Sequence, residues 1–156
     1  MTDDLIELRT AGEEETADLA RRIAALARPG DAILLSGSIG AGKSVFARAF
    51  IRARLGNPAE EVPSPTFTLV QQYEDADGTE IWHFDLYRLS DSSEAWEIGL
   101  EAALGTAICL IEWPERLGPD TPSDSLHLTL ESGQDAHLVR VAAGESWSGR
   151  LGVLHG

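Results

Sequence analysis

Continuous apolar runs and helical stripes alternate along the first two thirds of the chain. Residues 32–35 and 107–111 are almost entirely apolar, which is typical of strands buried on both faces of a sheet. Between residues 13 and 27, apolar side chains recur at intervals of four and three, at Leu19, Ile23 and Leu26. That spacing predicts an amphipathic helix, and a second helix is predicted from residue 45 to about residue 55. Together these segments indicate an α/β protein.

Alternating apolar and polar residues predict further strands. Residues 67–73 and 81–87 flank the turn dipeptide Asp77-Gly78, so they are expected to form a β-hairpin. In the second of these strands one face would carry Trp82, Phe84 and Leu86, and the opposite face His83, Asp85 and Tyr87. Shorter patterns predict strands at 5–8, 125–131 and 137–142 and short helices at 94–98 and 100–104. The Gly-rich segment from about residue 144 is expected to be loosely held.

A glycine-rich loop lies between the first buried strand and the second helix. It reads G-x-x-x-x-G-K-[ST] over Gly37, Ser38, Ile39, Gly40, Ala41, Gly42, Lys43 and Ser44. Such a loop brings backbone N–H groups to a helix N-terminus, where they bind phosphate. Lys43 is the only lysine among 12 basic residues, placed where a compact positive charge suits the outer phosphates. The Ser44 hydroxyl is a candidate ligand for Mg²⁺. The pattern therefore predicts a nucleotide site.

This loop sets the expected architecture. We expect a P-loop NTPase-like, three-layer α/β domain with a mixed, partly parallel sheet and a β-hairpin beside the nucleotide site. The 156 residues are enough for one hydrophobic core, and no linker divides them, so one domain over residues 1–156 is expected.

Composition and charge narrow the possible functions. The net charge of −14 argues against extensive direct contact with nucleic acid, so a protein partner would have to hold any nucleic acid involved. No apolar run is long enough to cross a membrane, and the N-terminus lacks a signal-peptide pattern, so a cytoplasmic location is expected. The single cysteine, Cys109, lies in a predicted buried strand and is interpreted as a small core residue.

Two carboxylates are candidates for chemistry beyond phosphate binding. Glu112 directly follows the second buried run, at the strand end where ligands of open α/β sheets bind. We interpret it as a carboxylate on the magnesium side of the site, although a solvated strand end would give the same pattern. Asp85 lies among aromatic and apolar residues and is a candidate for orienting water or a metal shell, or simply for the polar face of a strand.

Three nearby residues have more open interpretations. His83 is expected to be structural, because a single histidine on an alternating strand needs no special role. Arg88 is placed to reach a phosphate or to pair with Asp85. Thr66 follows two prolines and is a candidate for sensing the terminal phosphate, with a strand-start threonine as the alternative.

At these residues the sequence resembles a bacterial family, the P-loop ATPase subunit of tRNA threonylcarbamoyladenosine synthesis, called TsaE or YjeE. The resemblance covers roughly residues 5 to 142. Besides the glycine loop, the stretches that carry it are Ser64-Pro65-Thr66-Phe67-Thr68-Leu69-Val70, His83-Phe84-Asp85-Leu86-Tyr87-Arg88-Leu89 and Ile111-Glu112-Trp113-Pro114-Glu115.

The resemblance implies a function and a set of site residues. It implies ATP and Mg²⁺ as ligands and slow ATP hydrolysis by the isolated protein. It also implies two larger partner subunits, which form the threonylcarbamoyl-transfer complex, and ATP hydrolysis that resets this complex between turnovers. By the same resemblance, Ser44 and Glu112 would form the magnesium-side pair, Asp85 would be needed for hydrolysis, and Thr16 would lie near the nucleotide base. Lys43, Asp85 and Glu112 are thus the expected catalytic residues.

The sequence departs from the family at two loop positions. Ser38 replaces an aspartate common in the family, and Ser44 replaces the usual threonine while keeping the hydroxyl. Two other functions use the same loop. A small-molecule kinase would need a lid rich in arginine, yet no arginine lies between Arg54 and Arg88 or between Arg88 and Arg116. A module that senses ATP without hydrolysing it would not need Asp85 and Glu112.

Overall fold

The computed structural model describes residues 4–38, 41–91, 93–134 and 136–151. Ile39 and Gly40, two of the expected loop residues, lie outside the described residues. Seven strands form one sheet: β1 (Asp4–Thr10), β2 (Ala32–Gly37), β3 (Val70–Glu74), β4 (Glu80–Asp85), β5 (Ile108–Glu112), β6 (Leu126–Glu131) and β7 (His137–Ala143).

Five α-helices and a 3₁₀ segment accompany the sheet within the described residues. They are α1 (Glu13–Leu26), α2 (Lys43–Leu55), α3 (Ser93–Glu97), α4 (Leu100–Thr106), α5 (Glu145–Ser148) and the 3₁₀ segment Pro114–Asp120. In the same part of the chain, no helix has the length and apolar content that a membrane span requires.

The sheet is mixed, as the sequence predicted. Its strand order is β1-β7-β6-β2-β5-β4-β3. Strand β2 pairs in parallel with β5 and with β6, and β4 pairs in parallel with β5. The remaining strands pair antiparallel, with β3 and β4 forming the expected hairpin across the Asp77-Gly78 turn. The buried parallel centre is where continuous apolar runs were found in the sequence.

Helices cover both faces of the sheet, so the domain has the three layers expected of the fold class. Side chains of β2 alternate between the faces: Ile33 and Leu35 pack with α1 and α2, whereas Leu34 packs with α3, α4 and the 3₁₀ segment. Cys109 is fully buried on the second face, as predicted, and burial raises the pKa of its thiol to about 12.

The hairpin strands are shorter than predicted. The first was expected at residues 67–73 but begins at Val70, and the second was expected to reach residue 87 but ends at Asp85. A tight turn causes the late start, because the Leu69 N–H donates to the Pro65 carbonyl over 2.7 Å and Leu69 adopts a φ of 70°. The proline-bracketed loop therefore extends further into the expected strand and places Thr66 away from the sheet ladder.

The segment after residue 144 differs from the loosely held tail that its glycines suggested. Trp147, in α5, is fully buried, and Leu151 is nearly so. The Arg150 guanidinium forms two hydrogen bonds with the Asp31 carboxylate, of 2.7 and 3.0 Å, and a third with the Leu26 carbonyl. These contacts attach residues 144–151 to the end of α1 and the start of β2.

Candidate functional site

The candidate site lies where the parallel strands β2, β4 and β5 end beside the N-terminus of α2. The register places Glu112 between Leu35 and Asp85, its two neighbours across the parallel ladders. Side-chain alternation then puts Asp85 and Glu112 on the sheet face covered by α2. Both carboxylates are buried, with 6% and 5% exposure respectively. Buried carboxylates at this edge of an α/β sheet are typical of a ligand site.

Two glycines give the phosphate loop its shape. Gly37 and Gly42 have φ values of 135° and 107°, in a region that favours glycine. A Cβ at Gly37 would lie 2.1 Å from the Leu130 carbonyl oxygen, so only glycine fits between β2 and β6 there. Helix α2 begins at Lys43, and none of the described side chains caps its N-terminus. Its first N–H groups therefore remain available to an anion.

Among the described residues that line the cavity at this site, Lys43 is the only lysine or arginine. Its ammonium donates to the Gly37 carbonyl over 2.6 Å and lies 3.6 Å from the centroid of the Trp113 ring. Burial lowers the pKa of Lys43, while the negative charges of Glu112, Glu115 and Asp85 act in the opposite direction. A polyphosphate bound beside Lys43 would act in the same direction as these acids and favour the charged ammonium.

Asp85 is held on both carboxylate oxygens. Oδ2 accepts a hydrogen bond from the Thr66 hydroxyl over 3.2 Å, and Oδ1 accepts one from the Tyr87 N–H over 3.1 Å. The Thr66 hydroxyl is also 2.7 Å from that of Ser64. The proline loop is thereby connected to the strand end, and Thr66 lies beside a candidate catalytic carboxylate.

Glu112 is paired with the histidine that was expected to be structural. His83 Nε2 lies 2.6 Å from Glu112 Oε2, and both side chains are almost completely buried. His83 reaches Glu112 diagonally, because Leu110 is its direct neighbour on β5.

A cavity of about 540 Å³ lies at this edge of the sheet. Its lining includes Gly42, Lys43, Ser44, Thr66, Asp85, Glu112, Trp113 and His137. Among the described residues, no group of three or more His, Cys, Asp or Glu side chains is arranged to hold a metal ion. A magnesium ion here would therefore depend on phosphate oxygens and water for most of its ligands, which is how Mg²⁺ usually binds with nucleotides.

Comparison with known proteins gives the family of this chain. A family model described as threonylcarbamoyl adenosine biosynthesis protein TsaE matches residues 10–140. The chain belongs to the TsaE family. Relatives named tRNA threonylcarbamoyladenosine biosynthesis protein TsaE are similar to it: one from Bacillus subtilis is 36% identical over 88% of this chain and 85% of its own. One from Aquifex aeolicus is 40% identical over 77% of this chain and 83% of its own.

Other relatives match a shorter segment. A TsaE protein from Rickettsia felis is 45% identical over 66% of this chain, and the match spans 59% of that relative. A solved structure described as Bacillus subtilus YdiB superposes with a TM-score of 0.78 at 28% identity, covering 97% of this chain and 93% of that chain. The TsaE resemblance and the P-loop NTPase-like fold expected from the sequence are both confirmed.

Two further expectations concern Thr16, from the TsaE resemblance, and Arg88, from its place in the sequence. Thr16, expected near the nucleotide base, is buried behind Gly42, where its hydroxyl donates to that of Thr10 over 3.0 Å. It is not one of the residues that line the cavity. The Arg88 guanidinium lies 4.6 Å from the centroid of the Phe67 ring and has no hydrogen bond to Asp85 among the described residues.

Sequence reasoning did not assign a role to several other residues that line the cavity. Trp113 was part of the TsaE resemblance, but its contact with Lys43 joins residues 70 positions apart and has no local signal. His137 donates from Nδ1 to the Ala41 carbonyl over 2.9 Å, which connects the start of β7 to the phosphate loop. Tyr87 extends the aromatic wall, with its ring 4.9 Å from that of Trp113.

Proposed function

We propose that this protein is the Mg²⁺-dependent, ATP-binding and slowly hydrolysing subunit of the complex that makes threonylcarbamoyladenosine in tRNA. The observation that carries the proposal is the arrangement around one cavity. Lys43 and Ser44, at a helix N-terminus that none of the described side chains caps, line the same cavity as the buried carboxylates of Asp85 and Glu112. Phosphoryl chemistry needs this combination, namely an anion cradle, a cation and carboxylates on the opposite side.

The residues have separate tasks in this proposal. The first N–H groups of α2 and the Lys43 ammonium bind the phosphates. The Ser44 hydroxyl and the Glu112 carboxylate would hold Mg²⁺, directly or through water, and the ion would offset the charge of the phosphates. Asp85, fixed by Thr66 and by the Tyr87 N–H, orients the attacking water. This fixed orientation favours hydrolysis over passive sensing of ATP.

Partner dependence follows from charge and from family membership. With a net charge of −14, the chain is poorly suited to hold tRNA itself, so we place the tRNA on the partner subunits. Two protein partners of the threonylcarbamoyl-transfer complex, acting in the cytoplasm, complete the proposal. Hydrolysis would reset that complex between turnovers.

ATP turnover measured with and without the two partner subunits tests the proposal. We expect slow turnover alone and clear stimulation by the partners. Asp85→Asn should still bind ATP but lose about a hundredfold or more in turnover, whereas Asp91→Asn, which changes an acid outside the cavity, should behave like the parent. Fast turnover that the partners leave unchanged would contradict the proposal. Transfer of labelled γ-phosphate to a metabolite would instead support a kinase.

A further inference from the structure

The His83–Glu112 contact leaves one histidine nitrogen without a partner. Nε2 is 2.6 Å from Glu112 Oε2, whereas Nδ1 is buried and has no hydrogen-bond partner among the described residues. Two proton arrangements are compatible with the short contact. Either Nε2–H donates to an ionised carboxylate, or a protonated carboxyl donates to Nε2 while the proton of the ring is on Nδ1.

The environment of Nδ1 favours the first arrangement. With the proton on Nδ1, a buried N–H donor would lack an acceptor, and unpartnered buried donors are rare and costly. With the proton on Nε2, the ring donates to the carboxylate and Nδ1 is left as an acceptor only. Glu112 then keeps its negative charge, and one of its two oxygens is fixed by the ring.

Because the imidazole ring holds Oε2 of Glu112, Oε1 is the oxygen that can face the cavity. None of the described residues forms a hydrogen bond with Oε1 of Glu112, and this side chain lines the same cavity as Lys43 and Ser44. The imidazole is itself rigidly placed, because His83 belongs to β4 and packs on the α2 side of the sheet with only 3% exposure. A buried ring of this kind sets the orientation of the carboxylate to which it donates.

We propose that His83 is a positioning residue that orients Glu112 toward the magnesium ion of the bound nucleotide. This inference rests on the proposed function, since it takes Glu112 as a magnesium-side carboxylate. It assigns to His83 a role beyond the structural one that its position in an alternating strand suggested. His83 itself contacts neither the nucleotide nor the ion.

The test measures nucleotide affinity as a function of Mg²⁺ concentration, with a fluorescent ATP analogue as the probe. His83→Leu should raise, by about tenfold or more, the Mg²⁺ concentration at which the Mg²⁺-induced gain in nucleotide affinity is half-maximal. Loss of a supporting hydrogen bond has an effect of this size at metal sites. Affinity in EDTA should not change, because the phosphate loop is intact. His83→Gln, whose amide N–H can still donate to the carboxylate, should stay within about threefold of the parent.

Two further measurements keep this result unambiguous. In a Glu112→Gln background, His83→Leu should have no additional effect on the Mg²⁺ dependence, because the carboxylate to be positioned is gone. Thermal unfolding of each variant separates loss of fold from loss of positioning. Either of two results would overturn the inference. One is an unchanged Mg²⁺ dependence in His83→Leu, and the other is a folded His83→Gln protein whose Mg²⁺ dependence shifts as much as that of His83→Leu. A parent protein that binds no nucleotide would overturn the proposed function instead.

Discussion

Removing the Arg150 guanidinium tests the attachment of the C-terminal segment. Arg150 forms a two-point ion pair with Asp31, donates to the Leu26 carbonyl and lies 4.0 Å from the centroid of the Trp147 ring. The ion pair is largely buried, with side-chain exposures of 9% and 8%. Breaking a buried pair on one side leaves the other charge uncompensated, so Arg150→Ala should lower the free energy of unfolding by about 3–5 kcal/mol.

The size of the effect also depends on what Asp31 does besides pairing. Its carboxylate accepts a hydrogen bond from the Arg28 N–H, which closes the turn after α1. Asp31→Asn combined with Arg150→Met keeps that acceptor and removes both charges. The double variant should therefore recover part of the stability lost in Arg150→Ala, because replacing a buried pair by neutral groups is often nearly neutral. Arg22→Ala, which breaks an exposed pair on α1, should change stability by less than about 0.5 kcal/mol.

Urea unfolding followed by far-UV circular dichroism measures these differences. The slopes should agree among the variants, so that shifts in midpoint report stability. If Arg150→Ala unfolds at the same urea concentration as the parent, the buried Arg150–Asp31 pair does not stabilise the attachment of residues 144–151, and the reasoning from its burial is wrong.

Three further predictions follow from single residues. Gly37→Ala should lower the free energy of unfolding by more than about 3 kcal/mol in the same urea assay, because its Cβ would overlap the Leu130 carbonyl. The control is Gly105→Ala in α4, where a Cβ would meet open space, and it should be neutral or stabilising. Cys109 should resist a thiol reagent in the native protein and react on unfolding; rapid native reaction would contradict its burial. Burial lowers the pKa of Lys43, so between that lowered pKa and about 10.5 the unfolded state binds more protons than the folded state. In that pH range the stability of the parent relative to Lys43→Met should therefore rise with pH, and a fall would contradict the prediction.

Local patterns predicted the elements that depend only on neighbouring residues. The continuous runs before Ser36 and Glu112 correspond to the buried parallel strands β2 and β5, and the glycines at 37 and 42 have the φ values that a phosphate loop needs. Alternation placed Asp85 on the correct face of β4. In each case the information lies within a few residues, where periodicity and backbone sterics are decisive.

Contacts between distant segments were not predictable in this way. The helix that holds Trp147 has four residues, too few for a periodic signal, and its attachment depends on Asp31, more than a hundred residues away. The cation–π contact between Lys43 and Trp113 and the pairing of His83 with Glu112 likewise depend on the strand register, which the sequence alone does not give. The late start of β3 depends on a turn at Pro65 that competes locally with an otherwise suitable strand pattern.

The charges of the site set a condition on what can bind there. Lys43 is buried near three acids, and its ammonium is already engaged by the Gly37 carbonyl and the Trp113 ring. A polyphosphate entering alone would face Asp85 and Glu112, and Lys43 is the only lysine or arginine among the described residues that line the cavity. A divalent ion brought with the nucleotide would offset that repulsion, because it would add two positive charges to the site. In this proposal the two buried acids therefore favour the metal-bound nucleotide over the free one, and they make Mg²⁺ a condition of tight binding as well as of hydrolysis.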